Sequence, residues 1–388
     1  MRWHAAIAGL AASLVGIGLG RFAYTPLIPA LVAAHWFPPA QVIYLGAANL
    51  AGYLAGALAG RRLAAMVPPH IALRGMMLLA SASFFGCIVP ISVLWYFVWR
   101  FAAGMAGGTI MVLAAPAVLS AADARHRGFV GGMIFTGVGL GVAASGTVVP
   151  LLLQAGLPAT WFGLGVLALV LTLVAWGGWP AGPAQPSRSA TGAAAPLTVP
   201  LAALLVEYGL NAAGLVPHMV FLVDFIARGL GAGLAVGSAY WVVFGLGAMV
   251  GPLLAGLLAD RIGFGAALRL AFAIQAVAVV SPVVAHGWLA LVLSSGIAGA
   301  FTPGVVPLVL GRVHELLPGD PPAQRLAWSW TTIAFALFQA GAAYFYSFLF
   351  SRTGGDYAML FAIGAGALGL ALVIELAVTV RTRLVQVL

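Results

Sequence analysis

The sequence predicts an all-α polytopic membrane protein, with twelve transmembrane helices arranged as two pseudo-symmetric six-helix bundles. Of its 388 residues, 63% are hydrophobic and only 6% are charged, and the mean hydropathy is +1.10. This composition excludes an ordinary soluble domain and is typical of a chain embedded in a lipid bilayer. The apolar runs are continuous, whereas the strands of a transmembrane β-barrel alternate apolar and polar residues, so helices are favoured.

Each apolar run is close to the ~20 residues that an α-helix needs to cross a bilayer. The predicted spans cover about residues 5–34, 40–66, 71–90, 92–122, 128–154, 158–179, 199–227, 235–259, 265–285, 287–312, 325–350 and 357–380. Residues 179–200 are rich in Pro, Ala, Gly and Ser and lack apolar periodicity, which is typical of a flexible linker. The prediction is an N-terminal bundle over residues 1–179, a cytoplasmic linker over 180–199 and a C-terminal bundle over 200–388.

The arginines predict the orientation of these spans. With both termini inside, thirteen arginines lie in or next to inner loops, and only Arg228 and Arg352 lie outside. This bias predicts a multi-pass protein of the bacterial inner membrane with both termini in the cytoplasm. The first span follows the N-terminus without a small-residue cleavage site, so we interpret it as a helix and not as a removed signal peptide. The position of the arginines in short loops is better explained by membrane topology and by binding to anionic lipid headgroups than by binding to nucleic acid. We expect the protein to be a monomer.

Two arginines lie inside predicted spans, where a guanidinium is costly and cannot lose its charge. Arg21 is in the first span and Arg100 in the fourth. Such residues normally face a bundle interior or a water-filled cavity. In the seventh span Glu207, Asn211 and His218 fall at helical spacing on one face. An acid, an amide and an imidazole on one apolar helix predict a cavity lining, with Glu207 and then His218 as proton-coupling candidates.

The two halves repeat a local pattern. The string GALAGRR at residues 56–62 ends the second span, and GLLADRI at 256–262 ends the eighth. A lag of about 200 residues indicates a duplicated six-helix unit, an arrangement in which transporters commonly bind substrate between the repeats near the midplane.

Three motifs make the chain resemble the major facilitator superfamily. GLLADRIG at residues 256–263 resembles its loop motif, RFAAGMAGG at 100–108 its fourth-helix motif, and GGMIFTGVGLGVAASG at 131–146 its glycine-rich antiporter motif without the central Gly-Pro. More narrowly, GLGRFAYTPLIP at 18–29 with NLAGYLAGAL at 49–58 resembles the bacterial YbfB/YjiJ family. The resemblance implies a twelve-helix transporter whose seventh helix faces the first across a central cavity. It also implies that Asp260 and Arg261 form a conformational latch at the inner side.

The remaining candidates for substrate binding lie on three spans. Tyr24 follows Arg21 by three residues, Asn49 lies in the second span, and Phe335 and Gln339 share an aromatic face in the eleventh. The predicted substrate-binding set is Arg21, Tyr24, Asn49, Arg100, Asn211, Phe335 and Gln339. Other interpretations stay open: either arginine is structural, Arg21 caps carbonyls freed near Pro26 or pairs with Glu207, and the polar groups join helices. No spacing predicts a metal or cofactor site.

These observations favour a secondary transporter that moves a small organic solute by alternating access. Two fixed positive charges favour an organic anion, for instance a carboxylate, because arginine binds carboxylates bidentately, and Glu207 or His218 would supply proton coupling. The alternatives are multidrug or metabolite efflux by proton antiport and a lysolipid flippase. An enzyme is disfavoured because Glu207 and His218 lie about 16 Å apart along one helix. A primary pump is also disfavoured, because the sequence contains no ATP-binding loop.

Overall fold

The computed structural model describes residues 3–120, 127–180 and 197–387, and within them it shows helices and no strand. Most of the predicted linker, residues 181–196, lies outside this part of the chain. In chain order the helices are α1 (Trp3–Ala33), α2 (Pro39–Met66), α3 (Pro69–Gly86), α4 (Val93–Ser120), α5 (Arg127–Leu153), α6 (Leu157–Ala175), α7 (Val199–Gly229), α8 (Leu234–Ile262), α9 (Phe264–Val284), α10 (Trp288–Leu316), α11 (Pro321–Arg352) and α12 (Tyr357–Val387).

Eleven helices among the described residues are long and apolar enough to cross a membrane. The twelfth, α3, has 18 residues and carries Arg74, which donates two hydrogen bonds to the Trp176 carbonyl beyond the end of α6. The predicted twelve-helix, all-α architecture is therefore confirmed. The third span begins and ends a few residues earlier than predicted, because the chain leaves the helix at Cys87, before Pro90.

Two helices are interrupted at corresponding places in the two halves. In α1, π-helical turns cover Leu14–Leu19, and an irregular stretch follows before the helix resumes at Tyr24. In α7, π-helical turns cover Pro217–Phe221 and Phe225–Gly229. Such turns loosen the regular hydrogen-bond ladder and are frequent at functional sites. Both interruptions lie on the helices that meet at the centre of the molecule.

Glycine contacts hold α2 against α4 and α8 against α10. A Cβ on Gly104 of α4 would lie 1.9 Å from the Asn49 carbonyl oxygen of α2, and one on Gly299 of α10 would lie 2.0 Å from the Phe244 carbonyl oxygen of α8. Only glycine allows backbones to approach this closely, as is common in membrane helix pairs. The same packing at equivalent positions of both halves agrees with the repeat seen in the sequence.

Several helix pairs join the first six helices to the last six. Thr25 of α1 donates a hydrogen bond to the Met219 carbonyl of α7 (2.7 Å), and the Trp241 indole of α8 donates one to Ser145 of α5 (3.0 Å). The rings of Tyr44 in α2 and Tyr344 in α11 lie 6.3 Å apart. All these contacts lie at the centre or toward the face opposite the chain termini, called the far face below. The structure is therefore closed at the far face.

Candidate functional site

The break in α1 creates a carbonyl acceptor at the centre of the first six helices. Arg100 of α4 donates a hydrogen bond from Nη1 to the Gly20 carbonyl (3.1 Å), and Asn49 of α2 donates one from Nδ2 to the same oxygen (3.2 Å). The Asn49 amide also donates to the Arg100 carbonyl (3.1 Å). Together the two side chains join α1, α2 and α4. Arg100 therefore takes the carbonyl-capping role that the sequence left open for Arg21.

Arg100 nevertheless keeps binding capacity. Its side chain is 3% exposed, and its guanidinium carbon lies 4.2 Å from the centroid of the Tyr24 ring. Its Nε has no hydrogen-bond partner in the part of the chain that the structure describes. The Tyr24 hydroxyl is held by the Val42 carbonyl (2.8 Å). A stacked guanidinium is stabilised by the ring face but retains its full charge.

Arg21 reaches across the interface between the two halves. Its Nη2 lies 3.2 Å from the sulfur of Met219 in α7, and its guanidinium carbon lies 4.9 Å from the Phe22 ring centroid and 5.6 Å from that of Tyr53. Among the described residues neither Arg21 nor Arg100 forms an ion pair with a carboxylate. The alternative in which Glu207 pairs with Arg21 is therefore wrong for this conformation.

Both arginines line one cavity at the boundary of the two halves. The cavity is small in this conformation, about 20 Å³, which is room for roughly one water molecule. Its lining comes from α1, α2, α4 and α7 and comprises Arg21, Tyr24, Thr25, Ile28, Gly46, Asn49, Leu50, Arg100, Met219 and Val220. Of the predicted substrate-binding residues, Arg21, Tyr24, Asn49 and Arg100 are thus brought together, and the site is electropositive.

The acid–amide–imidazole stripe of α7 faces elsewhere. Asn211 donates to Gln275 of α9 (2.7 Å), and the His218 Nε2 lies 2.7 Å from Ser294 Oγ of α10. Glu207 is 1% exposed, and no described residue offers its Oε1 a hydrogen bond. The prediction that this stripe faces Arg21 across the cavity is wrong, because α7 turns a different face, with Met219 and Val220, to the cavity and this one to the core of the last six helices.

The eleventh-helix candidates divide between the cavity edge and the core. Gln339 is buried and directs its Nε2 at the Met219 sulfur, 3.9 Å away. Phe335 packs on Tyr208 of α7, with ring centroids 4.6 Å apart. Gln339 therefore reaches the arginine cavity only through Met219, a residue that the sequence did not single out because it is one methionine in a continuous apolar run.

Two further predictions concern groups away from the cavity. Asp260 and Arg261 are exposed at the end of α8 and form no ion pair with any described residue, so the latch stays a prediction. Among the described residues no group of three or more His, Cys, Asp or Glu side chains is placed to hold a metal ion.

The family described as "Uncharacterised MFS-type transporter YbfB" matches residues 13–376 of this chain. The chain belongs to this family. The protein is thus a multi-pass membrane protein and a secondary transporter of the major facilitator superfamily, as its motifs predicted. No curated protein sequence gives a significant match.

Solved structures of other transporters share the fold of this chain. The nucleoside transporter NupG is 14% identical with a TM-score of 0.75, and the alignment covers 96% of this chain and 99% of that one. The xylose transporter XylE from E. coli is also 14% identical with a TM-score of 0.75, covering 97% and 99% of the two chains. At this identity the likeness shows the fold alone.

Proposed function

We propose that this protein moves a small organic anion, most simply a carboxylate, across the bacterial inner membrane by alternating access. The carrying observation is that Arg21 and Arg100 line one cavity between the halves and have no carboxylate partner among the described residues. A guanidinium inside a bilayer costs at least about 2.5 kcal/mol on insertion scales. An anion that accepts hydrogen bonds from both groups offsets that cost.

The geometry also favours an anion over the cationic drugs of a multidrug exporter. A cation in this cavity would lie beside two positive charges, and the nearest neutral groups, Tyr24, Asn49 and Met219, provide no negative charge. The orientation proposed from the sequence, with both termini in the cytoplasm, makes the closed far face the periplasmic one. A cycle of alternating access would then open the cavity toward the cytoplasm from this state.

Proton coupling through Glu207 is the second part of the proposal. Glu207 is buried in the core of the last six helices, and its Oε1 has no hydrogen-bond partner among the described residues. No ion pair with those residues fixes the charge of its carboxyl group. The charged groups that act on it electrostatically are Glu375 of α12 and Arg312 of α10, and Glu375 is itself paired with Arg269 of α9 (3.1 Å). The proposal requires that accumulation driven by a pH gradient depend on a titratable group at position 207.

The decisive experiment is a thermal-stability screen of the purified protein against short carboxylates, organic cations and lysolipids. Carboxylates should raise the melting temperature, and Arg21→Gln should abolish the response. Arg352→Gln is the matched control, because Arg352 is an exposed arginine at the far face that lies over Phe348 and outside the cavity. Stabilisation by organic cations that exceeds the carboxylate response would refute the proposal in favour of efflux, and a response to lysolipids alone would favour a flippase.

A further inference from the structure

Met219 is held at the cavity by side chains from two other helices. Its sulfur lies 3.2 Å from Arg21 Nη2 of α1 and 3.9 Å from Gln339 Nε2 of α11, while its carbonyl accepts the hydrogen bond from Thr25 of α1. The residue is 2% exposed and sits within the π-helical segment Pro217–Phe221 of α7. One side chain thus lies between the polar groups of the first and last six helices.

The partner that Met219 offers to Arg21 is chemically weak. A thioether is a poor acceptor, whereas a guanidinium forms its strongest hydrogen bonds with anionic oxygens. The sulfur lies where an acceptor for Arg21 Nη2 must lie, and no carboxylate of the described residues takes that place. An anionic oxygen entering the cavity is the stronger acceptor for the same nitrogen.

We propose that Met219 is a specificity-determining residue whose thioether occupies Arg21 until an anionic oxygen of the substrate displaces it. The inference rests on the proposed function, since it assumes that Arg21 binds an anion. Displacement removes a contact between α1 and α7 at the substrate position. Binding therefore weakens the link between the two halves at the substrate position, and a ligand without an anionic oxygen leaves that link in place.

Two substitutions of Met219 should change anion affinity in opposite directions. Leucine has a similar volume but no acceptor, so Met219→Leu should tighten carboxylate binding roughly two- to tenfold by removing the competitor. Glutamine offers a stronger acceptor, an amide oxygen, so Met219→Gln should weaken binding. Met249→Leu is the matched control, because Met249 also lies at the contact between the halves, against Gly139, but outside the arginine cavity.

The measurement is the dissociation constant of the best-stabilising carboxylate, determined by titration calorimetry on the purified full-length protein. In an Arg21→Lys background, Met219→Leu should leave the dissociation constant unchanged, because Met219 acts on binding only through the Arg21 guanidinium. If both Met219 variants bind like the wild type while Arg21→Lys weakens binding, the inference about Met219 is overturned and the proposed function stands. If Arg21→Lys binds the carboxylate normally, or no carboxylate binds, the proposed function fails and takes the inference with it.

Discussion

The hydrogen bond from Thr25 to the Met219 carbonyl joins the two halves at the closed far side of the cavity. It is 2.7 Å long and buried, and Thr25 is the residue through which α1 holds the backbone of α7. Replacing Thr25 with valine keeps the side-chain shape and removes the donor. The loss should weaken far-face closure and not the fold of either half, because the bond crosses between them.

The expected magnitude follows from the strength of one such bond. A buried neutral hydrogen bond contributes about 0.5–1.5 kcal/mol, and in membrane proteins the average is nearer ~0.6 kcal/mol. At room temperature 0.6 kcal/mol changes an equilibrium about threefold. Thr25→Val should therefore lower the ratio of far-face-closed to far-face-open molecules about threefold, and at most about tenfold.

Pulsed electron resonance between two spin labels measures this ratio. Ala34 at the end of α1 and Ala232 before α8 are exposed on the far face in opposite halves, so cysteines placed there report the opening. The native Cys87 is 1% exposed, so it does not compete for the label. A larger population at long distance in Thr25→Val is the expected result.

Two controls make the result specific. Thr25→Ser keeps the donor and should retain the wild-type distribution. Thr172→Val also removes a buried hydroxyl, but that hydroxyl donates to Ala168 within its own helix α6, so the distribution should not change. Equal distributions for wild type and Thr25→Val, or equal shifts for Thr25→Val and Thr172→Val, would refute the reasoning.

Two more substitutions test the packing and the proton-coupling proposal. Gly104→Ala places a Cβ 1.9 Å from the Asn49 carbonyl oxygen and forces α4 away from α2, so thermal stability should fall by about 1–3 kcal/mol and carboxylate binding with it, whereas Gly366→Ala, with open space around it, should leave both unchanged. Glu207→Gln should abolish accumulation driven by a pH gradient in proteoliposomes but retain substrate exchange at equal pH. Glu315→Gln, which changes a partly exposed acid paired with Arg312, should leave both accumulation and exchange at the wild-type level. Gradient-driven uptake by Glu207→Gln at the wild-type level would reassign Glu207 to structure.

The fold was predictable because hydropathy and span length depend on local sequence, and a bilayer forces every buried backbone group into a helix. The interruptions in α1 and α7 were not predictable in the same way. Their turns replace helical hydrogen bonds with bonds from distant residues, such as the one that Arg100 donates to the Gly20 carbonyl. Sequence showed that Arg100 lies in the membrane, but which acceptor meets it depends on how α4 packs against α1.

The candidate site was predicted in part for the same reason. Arg21, Tyr24, Asn49 and Arg100 reach one cavity because the helices that carry them all pack at the interface between the halves. Asn49 lines that cavity, yet its amide donors are already used on two carbonyls, which favours the interhelical role over substrate binding. A charged side chain inside a span indicates a cavity. A neutral amide can either join helices or bind substrate, and the sequence does not distinguish these two roles.

The stripe on α7 was assigned to the wrong side of its helix, and the reason bears on how coupling would operate. His218 contacts Ser294 in the core of the last six helices, while Met219, the next residue, contacts Arg21 at the interface. Successive residues on a helix point to different faces, so one short π-helical segment carries both contacts. A change at Glu207 or His218 that shifts α7 must therefore move the Met219 sulfur relative to Arg21. In the proposed mechanism the proton and the anion need not share a cavity, because they are bound on two faces of one helix.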